Sequence, residues 1–113
     1  MELLNRGTLQ QLERDIGSDM LPVVIRVFLD EVGQQRNQLG PLLAAEEVVA
    51  LGRLAHSIKS SCGSYGAELS QQQAAQIELR CRNGEPAAAL KGDVTALEHS
   101  LAEVLAQLSE MAA

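Results

Sequence analysis

Apolar residues in this chain return at intervals of three and four along four long stretches, and Gly, Pro or Asn breaks the pattern between them. That spacing places an apolar stripe along one face of each of four helices, and a striped helix is stable only when the stripe is covered. A short first helix is predicted near Thr8–Ile16, with Thr8 as its N-cap and Gly17 as its stop. The second runs from about Met20 toward Leu39, capped by Ser18 or Asp19. Pro22 is tolerable in its first turn, and Leu21, Val24, Ile25, Phe28 and Val32 form its stripe. Gly40-Pro41 is expected to kink or interrupt it before Leu42 and Leu43. The third extends from near Glu46 to about Ser64, striped by Val48, Leu51, Leu54, Ala55, Ile58, Cys62 and Tyr65, with Gly66 at a positive-φ terminating position. A fourth spans roughly Glu68–Arg82 and stops at Asn83-Gly84. The fifth runs from about Pro86 to near Met111 on Leu90, Val94, Leu97, Leu101, Val104, Leu105 and Leu108.

The residue types agree with the pattern. Ala, Leu, Gln and Glu dominate, and all are favourable in helices. One Phe, one Tyr and no Trp leave too few aromatics for an ordinary β-sandwich. The expected fold is all-α: an antiparallel four-helix bundle with a short additional N-terminal helix lying as a lid. At 113 residues, 46% of them hydrophobic, the chain is one domain long and is read as a single domain over 1–113. A nucleotide-binding domain beside a second domain does not fit in that length.

A net charge of −6 without any run of Lys or Arg argues against nucleic-acid binding. No apolar stretch approaches the ~20 residues of a membrane span. The first residues, Met1-Glu2-Leu3-Leu4-Asn5, lack the basic and apolar parts of a signal peptide, so the expected location is cytoplasmic. Met1 and complete helices also fit a free-standing protein. Cys62 and Cys81 are too far apart for a CxxC motif and read as reduced, small hydrophobes.

The third helix is the informative one. Turned away from its core stripe, it presents Val49, Gly52, Arg53, His56, Lys59, Ser60 and Gly63. Each Gly costs roughly 1 kcal/mol against Ala in a helix interior. Small residues about a histidine are explained if a second surface must come close to the imidazole. Arg53 and Lys59, three residues to either side, supply cations that attract and stabilise a phosphoryl group. With a pKa near 6.5, imidazole is in good part an uncharged nucleophile near neutral pH. Phosphoryl transfer asks chiefly for positioning and charge neutralisation.

The segment Ala55-His56-Ser57-Ile58-Lys59-Ser60-Ser61-Cys62-Gly63-Ser64-Tyr65-Gly66-Ala67 resembles the signature of histidine phosphotransfer (HPt) domains: Ala-His-x-Leu-Lys-Gly, small residues, then Gly-Ala. Asp15-Ile16-Gly17, Phe28, Ile77-Glu78 and Arg82-Asn83-Gly84 extend the resemblance over nearly the whole chain. It implies a helical bundle in which His56 accepts a phosphoryl group on Nε2 and Lys59 offsets its charge. Glu78 then stands where a Gln or Glu hydrogen-bonds Nδ1 and fixes the tautomer, with Gln71, Gln72 and Gln76 as weaker candidates on the same helix. Ser60 departs from the pattern, which has Gly there. Its hydroxyl either bonds a phosphoryl oxygen or an incoming partner, or crowds the docking surface.

The implied partners are response-regulator receiver domains and a hybrid sensor histidine kinase, docking over Val49, Gly52, Arg53, Ser60 and Gly63. The implied carrier has no cofactor of its own, and magnesium belongs to the receiver. A P-loop, a glycine-rich ATP lid and paired catalytic carboxylates are all lacking, which argues against an autonomous kinase or phosphatase. His56 and His99 have no further His or Cys at ligand spacing, and His99 reads as a surface or packing residue. The alternative is a non-catalytic adaptor or inhibitor docking receivers or kinases through the same face; Ser60 is its one support. A kinase dimerisation domain also displays a histidine on a bundle, but pairs two helices from each of two chains. Here the helices suffice to close a bundle alone, so a monomer is expected.

Overall fold

The computed structural model of the chain describes residues 3–112; Met1 and Glu2 of the N-terminal segment lie outside the described residues. Five helices follow one another: α1 (Arg6–Ile16), α2 (Leu21–Ala44), α3 (Val48–Ser64), α4 (Glu68–Arg82) and α5 (Ala87–Ala112). Helices α2 to α5 form the antiparallel four-helix bundle, and with α1 they make an elongated body of 44 × 21 × 19 Å. Around its ring α2 packs on α3 and α5, and α4 on α3 and α5, while α1 leans on α2.

The stripes read from the sequence are the core. Ile25, Phe28, Val32 and Leu39 of α2 meet Leu51, Ala55, Ile58 and Cys62 of α3, Ala74 and Ile77 of α4, and Leu90, Val94, Leu97, Leu101, Val104 and Leu108 of α5. At about 25 cal/mol per Å² of apolar surface removed from water, this burial is the main force closing the bundle. Burial also keeps the Cys62 thiol protonated, pushing its pKa up to about 12. Tyr65 lies just past the end of α3 rather than within it. Its ring stacks at 45° on Phe28, 4.4 Å away, and its hydroxyl donates to the Val24 carbonyl.

Three local expectations are corrected. Gly40-Pro41 does not interrupt α2, which continues to Ala44. Leu39 is wholly buried and Leu42 and Leu43 pack on the core, so tertiary contact outweighs the lost backbone hydrogen bond. The N-cap of α1 is Asn5, not Thr8: Asn5 Oδ1 accepts from the Thr8 backbone N–H at 3.1 Å. Neither Ser18 nor Asp19 caps α2, which starts after Met20 with no side-chain cap bond.

Asn5 also sets how the N-terminal segment meets the bundle. Its backbone N–H donates to the Gly66 carbonyl at 2.7 Å, and its side-chain Nδ2 donates to Glu68 Oε1 at 2.7 Å. Gly66 is required here on two counts. Its φ is +76°, and a Cβ would lie 2.8 Å from the Asn5 carbonyl oxygen. The Gly66-Ala67 pair is therefore both the α3–α4 turn and the seat of the N-terminal segment.

Candidate functional site

The α3–α4 hairpin brings three of the expected residues together. Glu78 is the charged residue on the buried face of α4, beside Ser70, Ala74 and Ile77, with its side chain only 10% exposed. Its Oε2 lies 2.7 Å from His56 Nδ1, and its Oε1 accepts from Lys59 Nζ at 2.6 Å. A buried carboxylate is tolerated only when paired and hydrogen-bonded, and here both oxygens are engaged. The Lys59 ammonium is the chief cause holding the Glu78 carboxyl below the usual carboxylate range; burial opposes it, and His56 adds to the lowering.

Arg82 is the member that the sequence placed only at the end of the fourth helix, with no role in the site. Its guanidinium donates to Glu78 Oε2 at 3.1 Å, sharing that oxygen with His56. The signal was present: Arg82 follows Glu78 by four residues, so the two sit on one helix face. One carboxylate is thus surrounded by an imidazole, an ammonium and a guanidinium.

The ring itself is open, its side chain 59% exposed. With Nδ1–H donated to Glu78, the Nε2 lone pair is free for attack, and the carboxylate stabilises positive charge that develops on the ring. The ring stands in a shallow cavity of about 660 Å³ whose walls include Val49, Gly52, Arg53, Cys81 and Arg82.

The other expected residues divide. Val49, Arg53 and Ser60 are exposed on the same helix. Gly52 and Gly63 were expected to clear space for another molecule, but their absent side chains first make room for α4. A Cβ on Gly52 would lie 3.0 Å from the Cys81 Cβ, and one on Gly63 would lie 2.6 Å from Gln71 Nε2. The helices can approach because both positions lie between the open face and the core. Gln71 packs there, whereas Gln72 and Gln76 line a separate hollow with Leu69 and Asp93. None of the three glutamines bonds His56. His99 is exposed on α5.

Among the described residues, no three His, Cys, Asp or Glu side chains are grouped to hold a metal ion, and no helix is long and apolar enough to cross a membrane.

Comparisons with known proteins bear on the family and the fold. The family model described as Hpt domain matches residues 23–112. The phosphorelay protein LuxU of Vibrio vulnificus is 33% identical over 85 residues, covering 75% of this chain and 74% of that protein. LuxU of Vibrio harveyi is 31% identical over 81 residues, covering 72% and 71%. In fold, the crystal structure of histidine-containing phosphotransfer protein B from Pseudomonas aeruginosa superposes with a TM-score of 0.87 at 23% identity, over 97% of this chain and 94% of that one. The Hpt domain of a sensor hybrid histidine kinase from Shewanella gives 0.84 at 16% identity, over 96% and 92%. The family model matched over residues 23–112, together with the LuxU relatives, places this chain in the Hpt domain family.

Proposed function

We propose that this chain is a phosphorelay intermediate, in which His56 accepts a phosphoryl group from a receiver-domain aspartate and passes it to a second receiver. The observation that carries this reading is the pairing of His56 Nδ1 with Glu78 while the rest of the ring stays open to an incoming protein. Its Nε2 lone pair attacks phosphorus, the P–Nε2 bond forms, and the P–O bond to the aspartate breaks to return a carboxylate. No proton has to leave Nε2, because the Glu78 contact keeps the proton on Nδ1. Glu78 stabilises the positive ring as it forms.

A bound phosphoryl group adds about −1.5 to −2 charges. Lys59 and Arg82 exceed the single charge of Glu78, and that surplus offsets the new one. Return transfer reverses the same bonds, so the protein acts as a carrier rather than a kinase. Magnesium is brought by the receiver, whose acidic pocket binds it. Val49, Arg53 and Ser60 form the docking face, with Gly52 and Gly63 keeping its α4 border low. The donor is the receiver of a hybrid sensor kinase, and the chain works as a cytoplasmic monomer and one domain over 1–113. The LuxU relatives, described as phosphorelay proteins, support this reading.

The test is transfer from a phosphorylated receiver to wild type and to His56→Gln. Acid-labile, base-stable label is expected on wild type and none on the variant. An unlabelled wild type, across several receivers and with folding verified, sinks the reading.

A further inference from the structure

Four serines lie on α3 after His56: Ser57 and Ser64 return their hydroxyls to the helix backbone, whereas Ser60 and Ser61 do not. Ser57 donates to the Arg53 carbonyl and Ser64 to the Ser60 carbonyl, the usual return of a helical hydroxyl to the backbone four residues earlier. Ser60 makes no such bond to the His56 carbonyl, and among the described residues its hydroxyl has no partner. It is exposed, one turn beyond the ring.

Helix geometry fixes which side of His56 it occupies. Three residues onward falls about 60° short of a full turn, and four residues onward about 40° past it. Lys59, at three, reaches Glu78 on α4. Gly52, four residues before His56, falls on that same shoulder and abuts Cys81. Ser60 therefore stands on the opposite shoulder, away from α4, where Nδ1 and its carboxylate are not. Side chains on a helix also lean toward its N-terminus, so the Ser60 hydroxyl leans toward the His56 turn. Arg53, exposed and three residues before His56, shares this shoulder.

We infer that Ser60 is a phosphoryl-contacting residue: its free hydroxyl donates a hydrogen bond to an oxygen of the phosphoryl group on His56 Nε2 and prolongs the phosphohistidine. The inference rests on the reading of His56 as phosphoacceptor. In spontaneous hydrolysis, water oxygen bonds phosphorus, the P–Nε2 bond breaks with its electron pair going to Nε2, and the water protons leave with inorganic phosphate while the imidazole keeps its own on Nδ1. The transition state is largely dissociative, and the phosphoryl oxygens lose negative charge as the bond to nitrogen loosens. A donor on those oxygens is therefore stronger in the phosphohistidine than in the transition state, and it slows the loss.

The experiment compares phosphohistidine half-life in isolated, labelled wild type, Ser60→Ala and Ser60→Gly, with receiver affinity measured alongside. Ser60→Ala is expected to shorten the half-life about fivefold, the effect of one charge-assisted hydrogen bond at an exposed site. Ser60→Gly is expected to shorten it to a similar extent, and because the half-life is read on isolated protein, any change in docking at Ser60 does not enter it. Equal half-lives in wild type and Ser60→Ala overturn the inference. A faster transfer confined to Ser60→Gly also overturns it, because crowding and not a hydrogen bond is then the role of Ser60. A wild type that accepts no label removes the phosphoacceptor reading itself, and this inference with it; a labelled wild type with equal half-lives removes only the inference.

Discussion

Two charged clusters lie two residues apart on α4, and they are built with opposite stoichiometry. Arg80 is one cation between two anions, held by Glu85 at 2.9 Å and Asp93 at 2.8 Å. Glu78 is one anion among three donors, His56, Lys59 and Arg82. The first ties α4 to the α4–α5 turn and to α5. The second ties α4 to α3. In the Arg80 cluster every group is satisfied: hydrogen bonds from Glu85 and then Asp93 raise the guanidinium pKa further, so it is charged at any relevant pH. Nothing there invites another charge. The Glu78 cluster keeps a surplus of cationic donors and includes the one side chain whose nitrogen is a nucleophile near neutral pH. The lesson is that an ion cluster becomes a reactive site when its surplus charge is opposite in sign to the incoming group and one nucleophilic member stays exposed.

Breaking the two clusters separately gives the largest contrast. Glu78→Ala is expected to slow phosphoryl transfer to His56 by about 10- to 100-fold, because the ring loses its tautomer and orientation together. Arg80→Ala is expected to leave the transfer rate at the wild-type value and to lower Tm by only a few degrees, as the loss of half-exposed ion pairs usually does. Equal losses of transfer in both variants, read by label on His56 in a single-turnover assay, would show that bundle integrity and not local chemistry is being measured.

A smaller effect separates the members of the Glu78 cluster. Lys59→Ala is expected to slow transfer or shorten phosphohistidine lifetime by about tenfold without unfolding the bundle, since a nearby cation is lost just as about −2 charges arrive. A wild-type rate and lifetime, with helical circular dichroism retained, would remove Lys59 from the chemistry and leave it only a partner of Glu78.

The smallest effect sharpens the comparison through pH. The Glu78 pKa is lowered in the folded protein, so its ionised form contributes stability above the ordinary carboxylate range, and that contribution is lost as pH falls through the folded-state value. The stability gap between wild type and Glu78→Gln should be widest near neutral pH and shrink below about pH 4.3. Urea denaturation at several pH values reads it, and a gap independent of pH would assign the effect of Glu78 to packing.

Much of this was legible in the sequence for a physical reason. A helix declares its buried face by spacing, so the stripes of α2, α3 and α5 named the residues that fill the core. His56 and Lys59 were legible because they lie on one helix within one turn. Glu78 is harder, being 22 residues away; only the resemblance of Ile77-Glu78 to a family pattern singled it out. The N-caps of α1 and α2 were read less well, since a cap depends on which nearby side chain reaches the free N–H groups, and Asn5 does so while Thr8, Ser18 and Asp19 do not. Gly40-Pro41 shows a local rule overruled by packing on both sides of it.

What the sequence determined by itself was periodic and local: four striped helices, a short one before them, and a histidine among small residues on an uncovered face. What only the tertiary structure decided was which residues meet across the α3–α4 hairpin. It showed Gly52 and Gly63 closing the two helices together, Arg82 as the third donor to Glu78, and Asn5 anchoring the N-terminal segment on Gly66. Spacing along one helix is fixed by covalent geometry and hydrogen bonding over four residues. Contacts between helices depend on rotation and register of the pair, and these are set by the packing of the whole core.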